Sequence, residues 1–487
     1  NSIYRKVMSF SSREYHKFST ASLITRSTND VQQVQQVMAM MFRIVLYAPI
    51  LGIGGVLKVL NTDSSMTWIL GVAVGLILIV IFVLFQVAMP KFTILQTLID
   101  RLNLVSREIL TGIPVIRAFS REKHEEDRFE KANLDLTKTN LFVNRCMTFM
   151  MPIMMLIMNG VSVLIIYSGA HAVDNGTMQV GNVMAFIQYA MQIIMSFLMI
   201  TAMSIMLPRA NVAALRIDEV LKTEVSIQDP ETPVHPSESV KGEIEFDHVS
   251  FAYPEAGENV LTDISFKAKK GQTIAVIGST GSGKSTLINL IPRYYDVTKG
   301  SVKVDGVDVR DMTQKELRDK LGYVPQKGVL FSGTIDSNIR YGKPEITDAQ
   351  VKEAAEVAQA TEFIDTKPEK YESPVSQGGT NVSGGQKQRL SIARAIAKDP
   401  EIFIFDDSFS ALDFKTDSQL RKALKEYTKD ATTVIVAQRI STILGADQII
   451  VLDDGHMAGI GTHKELMANC EVYQQIARSQ LSEEELA

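Results

Sequence analysis

The chain has 487 residues, a formal net charge of −5, 46% hydrophobic residues and a mean hydropathy of +0.07. This length suits two or three domains, and the lack of a basic excess argues against nucleic acid as a partner. The two cysteines, Cys146 and Cys470, lie far apart in the sequence, so neither a disulfide framework nor a zinc site is expected.

Four segments in the first half are long and apolar enough to cross a membrane, which takes about 20 residues of helix. Three of them contain no Asp, Glu, Lys or Arg, and the fourth contains only Arg43, which can reach the lipid headgroups from near a helix end. The predicted spans are 37–57, 66–90, 146–173 and 180–208.

The basic residues predict the orientation of these spans. Residues 1–35 contain five Lys or Arg and residues 91–145 contain ten, whereas the two short loops contain one and none. Because basic loops stay on the cytoplasmic side, the two long segments face the cytoplasm, and the last span delivers the second half there too. We therefore predict a multi-pass protein of the plasma membrane.

Methionines recur along the third and fourth spans at helical spacing. One stripe comprises Met147, Met150, Met151, Met154, Met155 and Met158, and the other comprises Met191, Met195, Met199 and Met203. Three- and four-residue steps predict that each stripe shares one helix face. Helix packing, lipid contact and an adaptable wall for varied apolar ligands all fit this pattern.

Residues 223–240 contain three prolines among polar residues and are predicted to be a linker. It separates a transmembrane domain, 1–222, from a soluble domain, 241–487. In the latter, Glu243–Phe246 and Thr273–Ile277 are predicted strands, and two Asp-Gly pairs mark hairpins at 305–306 and 454–455. A capping box is expected at 462–465. The fold class is an all-α transmembrane helical bundle followed by an α/β domain.

A phosphate-binding loop follows the strand that ends at Ile277. It comprises Gly278, Ser279, Thr280, Gly281, Ser282, Gly283, Lys284, Ser285 and Thr286, and fits the pattern G-x-x-x-x-G-K-[ST] between strand and helix. Backbone N–H groups and a helix start near Lys284 would surround the phosphates of ATP. Lys284 can reach the β- and γ-phosphates, and Ser285 can ligate Mg²⁺.

A second magnesium ligand is expected at the end of another strand. Residues 402–405 are apolar, as in the interior of a sheet, and Asp406 follows them. Strand ends at the carboxyl edge of such a sheet face the bound nucleotide. Asp406 is therefore a predicted Mg²⁺ ligand, and the domain is a P-loop NTPase.

A further motif comprises Ser383, Gly384, Gly385 and Gln386. Ser383 and the two glycines are predicted to open a helix that continues from Gln388 onward, which would make an anion-binding helix N-terminus. The motif resembles the signature motif of ABC ATPases. The resemblance implies that Tyr253 stacks on adenine and that Gln326 both ligates Mg²⁺ and links the nucleotide site to the membrane domain. It also implies that residues 410–413 cross a dimer interface and that residues 383–386 contact the ATP of a partner chain.

The membrane half resembles ABC exporters. Residues 110–120 and 18–29 are similar to the two cytoplasmic loops whose coupling helices dock on nucleotide-binding domains in that family. Such exporters have six spans in each half-transporter. The resemblance therefore implies that the first span and most of the second are missing from this sequence. It is also the sole basis for expecting a bacterial origin.

Two positions depart from the family pattern. Asp407 stands where the family has a Glu that orients the attacking water, and Gln438 stands where it has a His that contacts the γ-phosphate. A carboxylate that is one methylene shorter is misplaced by about an ångström, which can cost ~10²-fold in rate. Glutamine cannot carry the proton or charge of imidazole. Drift with retained activity and a degenerate site that binds ATP but hydrolyses it poorly both fit, and two departures favour the second.

The resemblance then implies a heterodimer with a second ABC half-transporter that retains Glu and His, for the ATP-driven export of small apolar or amphipathic compounds. A lipid or peptide exporter of narrow specificity, an ATP-gated channel or regulator, and a slow homodimer are the alternatives. The spans exclude soluble ABC proteins.

Overall fold

The computed structural model describes residues 1–62, 66–237, 239–254, 256–343 and 345–481. Within helices, it does not describe the side chains at 43, 62, 85, 88, 89, 92, 93, 201–205, 208 and 209, so the predictions for Arg43 and Met203 lie outside the described side chains. The chain forms two compact units. One comprises residues 21–222, and the other joins residues 1–20 to residues 223–487.

The first unit is helical throughout. Its helices are α3 (Thr20–Ser27), α4 (Asn29–Thr62), α5 (Thr67–Ala118), α6 (Glu122–Asp174) and α7 (Val180–Lys222). Among the described residues, four helices are long and apolar enough to cross a membrane, in agreement with the four predicted spans. At 52 residues, α5 is about 78 Å long and extends far beyond a hydrocarbon core of about 30 Å. Most of the segment predicted to be cytoplasmic, 91–145, therefore continues α5 and α6.

The helices of this unit pack closely where small residues allow it. A Cβ atom on Gly55 of α4 would lie 2.9 Å from Cγ1 of Ile193 on α7, so the glycine lets the two helices approach. Ile193 is fully buried in an apolar cluster with Val59, Ile69 and Phe186. Dispersion contacts of this kind stabilise helix pairs in lipid, where the hydrophobic effect between helices is absent.

The methionine stripe of α6 does not face a single environment. Met154 is buried and packs, together with Met150 and Met158, in a cluster that contains Ile77 and Ile194. Met151 and Met155 are 65% and 58% exposed. The expectation that the stripe shares one face was therefore wrong in part, because six residues at three- and four-residue steps span a wide arc of the helix.

The second unit contains two short N-terminal helices, α1 (Ser2–Met8) and α2 (Ser12–Lys17), and an α/β domain. The strands are β1 (Ile244–Phe251), β2 (Leu261–Ala268), β3 (Thr273–Gly278), β4 (Lys299–Val304), β5 (Val307–Asp308), β6 (Leu321–Val324), β7 (Gly333–Thr334), β8 (Pro374–Val375), β9 (Ile402–Asp406), β10 (Thr432–Val436), β11 (Gln448–Asp453) and β12 (His456–Gly461). The helices are α8 (Lys284–Leu290), α9 (Gln314–Asp319), α10 (Ile335–Ile339), α11 (Asp348–Val357), α12 (Thr361–Asp365), α13 (Gly384–Ala397), α14 (Phe414–Tyr427), α15 (Ile440–Ile443), α16 (His463–Asn469) and α17 (Glu471–Arg478).

The strands form two main sheets. The larger has the order β12-β11-β3-β10-β9-β6, and its strands are parallel except for β12. An antiparallel sheet has the order β2-β1-β4-β5, and β7 pairs with β8. This arrangement confirms the predicted α/β class. Both predicted hairpins are present, as β4–β5 and β11–β12, and the capping box at Thr462 and Glu465 opens α16.

Candidate nucleotide-binding site

The predicted phosphate-binding loop joins the central strand β3 to helix α8. Residues 274–277 of β3 are buried between the parallel strands β10 and β11, so the end of the strand is held rigidly by its neighbours. The loop occupies residues 279–283, and α8 begins at Lys284, as predicted. The free N–H groups at the start of α8 therefore point into the loop and favour an anion there.

Two glycines allow the loop to fold this way. A Cβ atom on Gly278 would lie 2.1 Å from the carbonyl oxygen of Leu452 on β11, a distance that no side chain permits. Gly283 has a φ of +95° and lies against Leu261, 2.8 Å from the position of a Cβ atom. The left-handed backbone and the close contact both require glycine.

The Lys284 ammonium lies inside the loop. It donates hydrogen bonds to the carbonyl oxygens of Gly278 at 3.0 Å and Ser279 at 2.6 Å. Burial lowers the pKa of Lys284 below its usual value, and the carboxylates of Asp407 and Asp406 oppose that shift. The cation is thus held next to the loop amides, where phosphate oxygens are expected.

The two proposed magnesium ligands with short side chains are in direct contact. The Ser285 hydroxyl donates to Asp406 Oδ1 at 2.9 Å, across the ends of α8 and β9. Burial raises the pKa of Asp406, and Asp407 adds to this, whereas Ser285 and Lys284 oppose it. A hydroxyl and a carboxylate are hard oxygen donors, and Mg²⁺ sites combine one or two of them with phosphate oxygens and water. These residues fit that ion.

Three predicted residues from different segments meet at one carboxylate oxygen. Gln438 Nε2 donates to Asp407 Oδ2 at 2.8 Å, and Gln326 Nε2 donates to the same oxygen at 3.2 Å. The backbone of Asp407 has a φ of +45°, a left-handed conformation that Asp and Asn adopt more readily than most residues. The amide nitrogen of Gln326 is engaged with Asp407, so its amide oxygen is the atom that would serve a magnesium ion.

The predicted adenine-stacking residue, Tyr253, belongs to an aromatic group beside the loop. Its ring contacts those of Phe251 and Tyr295 edge-on, at centroid distances of 4.9 Å and 5.2 Å. Its hydroxyl lies 3.0 Å from Oγ1 of Thr286 in the phosphate-binding loop. The ring is therefore fixed on two sides next to the first turn of α8.

The signature residues form the start of α13. Ser383 is the N-cap residue, and a capping box links it to Gln386 through bonds of 3.3 Å and 3.2 Å. The helix begins at Gly384 with Ser383 as its cap, so the prediction that Ser383 and the two glycines open the helix is confirmed. Its first turn already includes residues 384–387, ahead of the helix body predicted from Gln388 onward, because the capping box offsets the low helix propensity of the two glycines. In the part of the chain that the structure describes, no hydrogen bond joins residues 383–386 to the phosphate-binding loop of the same chain.

One residue near the site was not predicted from the sequence. Gln480, in the C-terminal segment, donates to the carbonyl oxygen of Gln438 at 2.8 Å and accepts from the N–H of Ile440 at 2.8 Å. Its amide holds the loop that carries Gln438. A polar residue 42 positions away from its partner gives no local signal in the sequence.

Comparisons with known proteins agree with this architecture. A model of the ABC transporter transmembrane region matches residues 1–197, and the ABC transporter model matches residues 261–410. The chain is 42% identical to an uncharacterized ABC transporter ATP-binding protein of Mycobacterium tuberculosis, over 99% of this chain and 83% of that protein. The chain belongs to the ABC transporter family.

Other relatives of this ABC half-transporter carry more specific names. It is 36% identical to a putative multidrug export ATP-binding/permease protein of Bacillus subtilis, over 96% of this chain and 80% of that protein. It is 32% identical to a fatty acid ABC transporter ATP-binding/permease protein of Mycobacterium tuberculosis, over 94% and 72%. The structure of a bacterial Atm1-family ABC exporter with ATP bound superimposes with a TM-score of 0.81 at 25% identity, covering 99% of this chain and 84% of that one. The chain is therefore a membrane-spanning half-transporter with a P-loop ATPase domain.

Replacing Lys284 with Ala tests the nucleotide site. We expect the affinity of the purified transporter for MgATP to fall about 10²-fold, because a charge-assisted phosphate contact is lost from a partly buried position. Titration with a fluorescent ATP analogue measures this. The control is Lys464→Ala, which removes an exposed lysine of α16 and leaves affinity unchanged. Equal affinity of the Lys284 variant and the parent protein would contradict the assignment.

Proposed function

We propose that this chain is one half of an exporter of apolar or amphipathic compounds, and that its own ATP site binds nucleotide but hydrolyses it slowly. The observation that carries the second part is the convergence of the Gln326 and Gln438 amides on Asp407 Oδ2. Both amides donate to one of the two oxygens with which a hydrolytic carboxylate could accept a proton from water. That oxygen is therefore less free to orient an attacking water molecule.

The geometry of Asp407 limits its reach as well. Its side chain is one methylene shorter than the Glu that the family places there, and its backbone N–H is fixed to the carbonyl oxygen of Val436 at 3.0 Å. The backbone therefore cannot advance to compensate for the shorter side chain. Gln438 can orient a phosphate oxygen or a water molecule, but it cannot supply the positive charge of an imidazolium.

The groups that bind ATP are retained in full. Lys284 and the start of α8 hold the phosphates, Tyr253 presents its ring to the adenine, and Ser285 and Asp406 orient the metal. Mg²⁺ bound there would neutralise charge between the β- and γ-phosphates. The site is thus suited to holding ATP between two domains, which is a structural task that does not require rapid turnover.

A second chain completes the arrangement. Residues 383–386 form a capped helix start, which is well suited to contact a phosphate held by a partner. If the partner keeps Glu and His, this intact signature supports hydrolysis at the partner's site. ATP then closes the pair of domains by binding the closed state more tightly than the open one, and hydrolysis at the competent site reopens it.

The cargo class rests on the transmembrane unit and on the relatives. Exposed apolar side chains include Phe149, Met151, Met155, Leu156 and Met195. Methionine adapts to ligands of varied shape, which suits a multidrug exporter. One relative is named for multidrug export and another for fatty acid transport, so export of a lipid is the second candidate.

Restoring the family residues tests the degenerate site. In a complex whose partner carries Gln in place of its own hydrolytic Glu, we expect Asp407→Glu with Gln438→His to raise ATP hydrolysis about 10²-fold, because the longer carboxylate regains its position. A steady-state phosphate-release assay measures this. Asp454→Glu is the matched control, because Asp454 has the same left-handed backbone, with a φ of +44°. No gain in the double variant would refute the proposal that these two residues limit turnover.

Native purification tests the heterodimer. We expect a tagged chain, extracted from its own membrane, to appear in intact-complex mass spectrometry as a one-to-one complex with a different ABC half-transporter. Sequencing that partner shows whether it carries Glu and His at the two departed positions. A complex made solely of this chain would exclude the heterodimer, and Asp407 and Gln438 would then have to support turnover themselves.

Transport into proteoliposomes distinguishes the two cargo classes. We expect the reconstituted complex to accumulate an amphipathic cationic dye when ATP is supplied, and the complex with Lys284→Ala to accumulate less of it. Movement of a fluorescent phospholipid or fatty acid without movement of the dye would instead identify the lipid exporter.

A further inference from the structure

The N-terminal segment contains a buried acidic residue that the ATP site does not use. Glu14, in helix α2, is 4% exposed. Its Oε2 accepts hydrogen bonds from the N–H of Ser11 at 2.8 Å and from the hydroxyl of Ser11 at 2.6 Å. These bonds close a capping box at the start of α2. The capping box accounts for the hydrogen bonds of one carboxylate oxygen, Oε2, and leaves those of Oε1 to be explained.

The second oxygen of Glu14 binds a distant part of the chain. Oε1 accepts from the backbone N–H of Ser226 at 3.2 Å, and the hydroxyls of Ser11 and Ser226 lie 3.0 Å apart. Ser226 belongs to the segment that leads from α7 to β1. Burial acts to raise the pKa of Glu14, but the bonds from Ser11 and Ser226 outweigh it, so its pKa lies below the usual value and the carboxylate is ionised at neutral pH.

The same segment is also fastened to the ATPase fold. Asp229 Oδ1 accepts from the backbone N–H of Gln314 at 2.9 Å and from its side-chain amide at 3.1 Å. The N–H of Val234 donates to the carbonyl oxygen of Asp311 at 2.8 Å. Gln314 is the first residue of α9, and α9 leads directly into β6. The segment is therefore fixed between α2 on one side and α9 on the other.

Strand β6 continues this connection to the hydrolysis position. It ends at Val324, two residues before Gln326, whose amide binds Asp407. In the opposite direction, α2 is followed in the chain by α3 and the long helix α4. One series of hydrogen bonds and short elements thus runs from Asp407 to the chain segment that enters the membrane helices.

We propose that Glu14 is a positioning residue for coupling: it fastens α2 to the backbone of Ser226, so that movement of the ATPase domain is passed to the transmembrane helices. The inference requires an ABC transporter that couples ATP to transport, and it does not depend on the cargo or on the degenerate site. Its carboxylate is suited to this task because its two oxygens accept from two separate backbone N–H groups, one at Ser11 and one at Ser226, and its negative charge strengthens both hydrogen bonds.

Glu14→Gln in the full, reconstituted transporter tests this role. The amide of glutamine keeps one acceptor oxygen and has an NH₂ group in place of the other. This NH₂ group would face the N–H of either Ser11 or Ser226, so at least one hydrogen bond is lost from a buried site. We expect the amount transported per ATP hydrolysed to fall about tenfold, as follows from losing one hydrogen bond to a charged, buried group, while ATP hydrolysis stays within about twofold. Ser226→Pro removes the same bond from the other side by deleting the N–H, and should give the same result.

Glu465→Gln is the matched control. Glu465 closes a capping box of the same kind, with Thr462, and its hydrogen bonds among the described residues remain inside the start of α16. A cargo-independent measurement is amide hydrogen exchange over residues 12–17. In the parent transporter, ATP should slow exchange there, and Glu14→Gln should abolish that response while Glu465→Gln preserves it.

Three results would overturn the proposal. In the first, the ratio of transport to hydrolysis is unchanged in Glu14→Gln. In the second, hydrolysis and transport fall together with a lowered melting temperature, which indicates a purely structural role. In the third, Glu465→Gln uncouples equally. If the parent transporter moves neither the dye nor the lipid, the proposed cargo class fails, and the hydrogen-exchange response still decides the role of Glu14.

Discussion

The parallel pairing of β3, β10, β9 and β6 is the constraint on which the nucleotide site depends. Parallel strands end at a common edge, so Gly278, Asp406, Gln438 and Gln326 come together although they are spread over 160 positions of sequence. Each strand is buried, and a shift of one strand by a residue would move its terminal side chain away from this edge. The chemistry of the site is thus fixed largely by the backbone hydrogen bonds of these strands, to which Asp407 adds one from its own N–H to the carbonyl oxygen of Val436.

The edge that favours ATP binding also concentrates negative charge. Asp406 and Asp407 are adjacent and buried, and they lie at the edge of the sheet where the phosphates of ATP are expected. Lys284, Ser285 and the start of α8 offset that repulsion, and two amides engage Asp407. A bound cation would also offset the repulsion between these carboxylates and the phosphates. In the proposed degenerate site, the amide of Gln438 in place of an imidazole keeps a hydrogen-bond donor but lacks a positive charge. We expect this change to weaken stabilisation of the transition state more than the binding of ATP.

Sequence patterns predicted the parts of this structure that depend on local chemistry. The phosphate-binding loop, the strand before Asp406 and both Asp-Gly hairpins follow from glycine conformations and from short apolar runs such as residues 402–405 and 274–277. The opening of α13 by Ser383 and two glycines was also predicted, although the regular helix already starts at Gly384 and not at Gln388, because the capping box at Ser383 outweighs the low average helix propensity of glycine.

Contacts between distant segments had no signal in the sequence. The bond between Glu14 and Ser226 spans 212 positions, and the bond between Gln480 and Gln438 spans 42. A capping box at Ser11 and Glu14 is recognisable, but its second carboxylate oxygen finds a partner solely through the tertiary fold. The long continuation of α5 and α6 was also missed, because hydropathy identifies where a helix enters lipid and not where the helix ends.

These distant contacts explain why residues 1–20 form a compact unit with the ATPase fold, although they precede the first described membrane helix. A membrane helix can respond to ATP only if a segment attached to it takes different positions in the two states of the ATPase domain. A flexible segment would absorb such a difference, whereas a short helix whose capping residue is bonded to the linker transmits it. The buried carboxylate of Glu14 makes that attachment stiff, because breaking one of its bonds would leave a charge unsatisfied away from water. Tight attachment at this end is compatible with the slow hydrolysis proposed for Asp407, since in the proposed cycle the closing movement draws on ATP binding and not on cleavage.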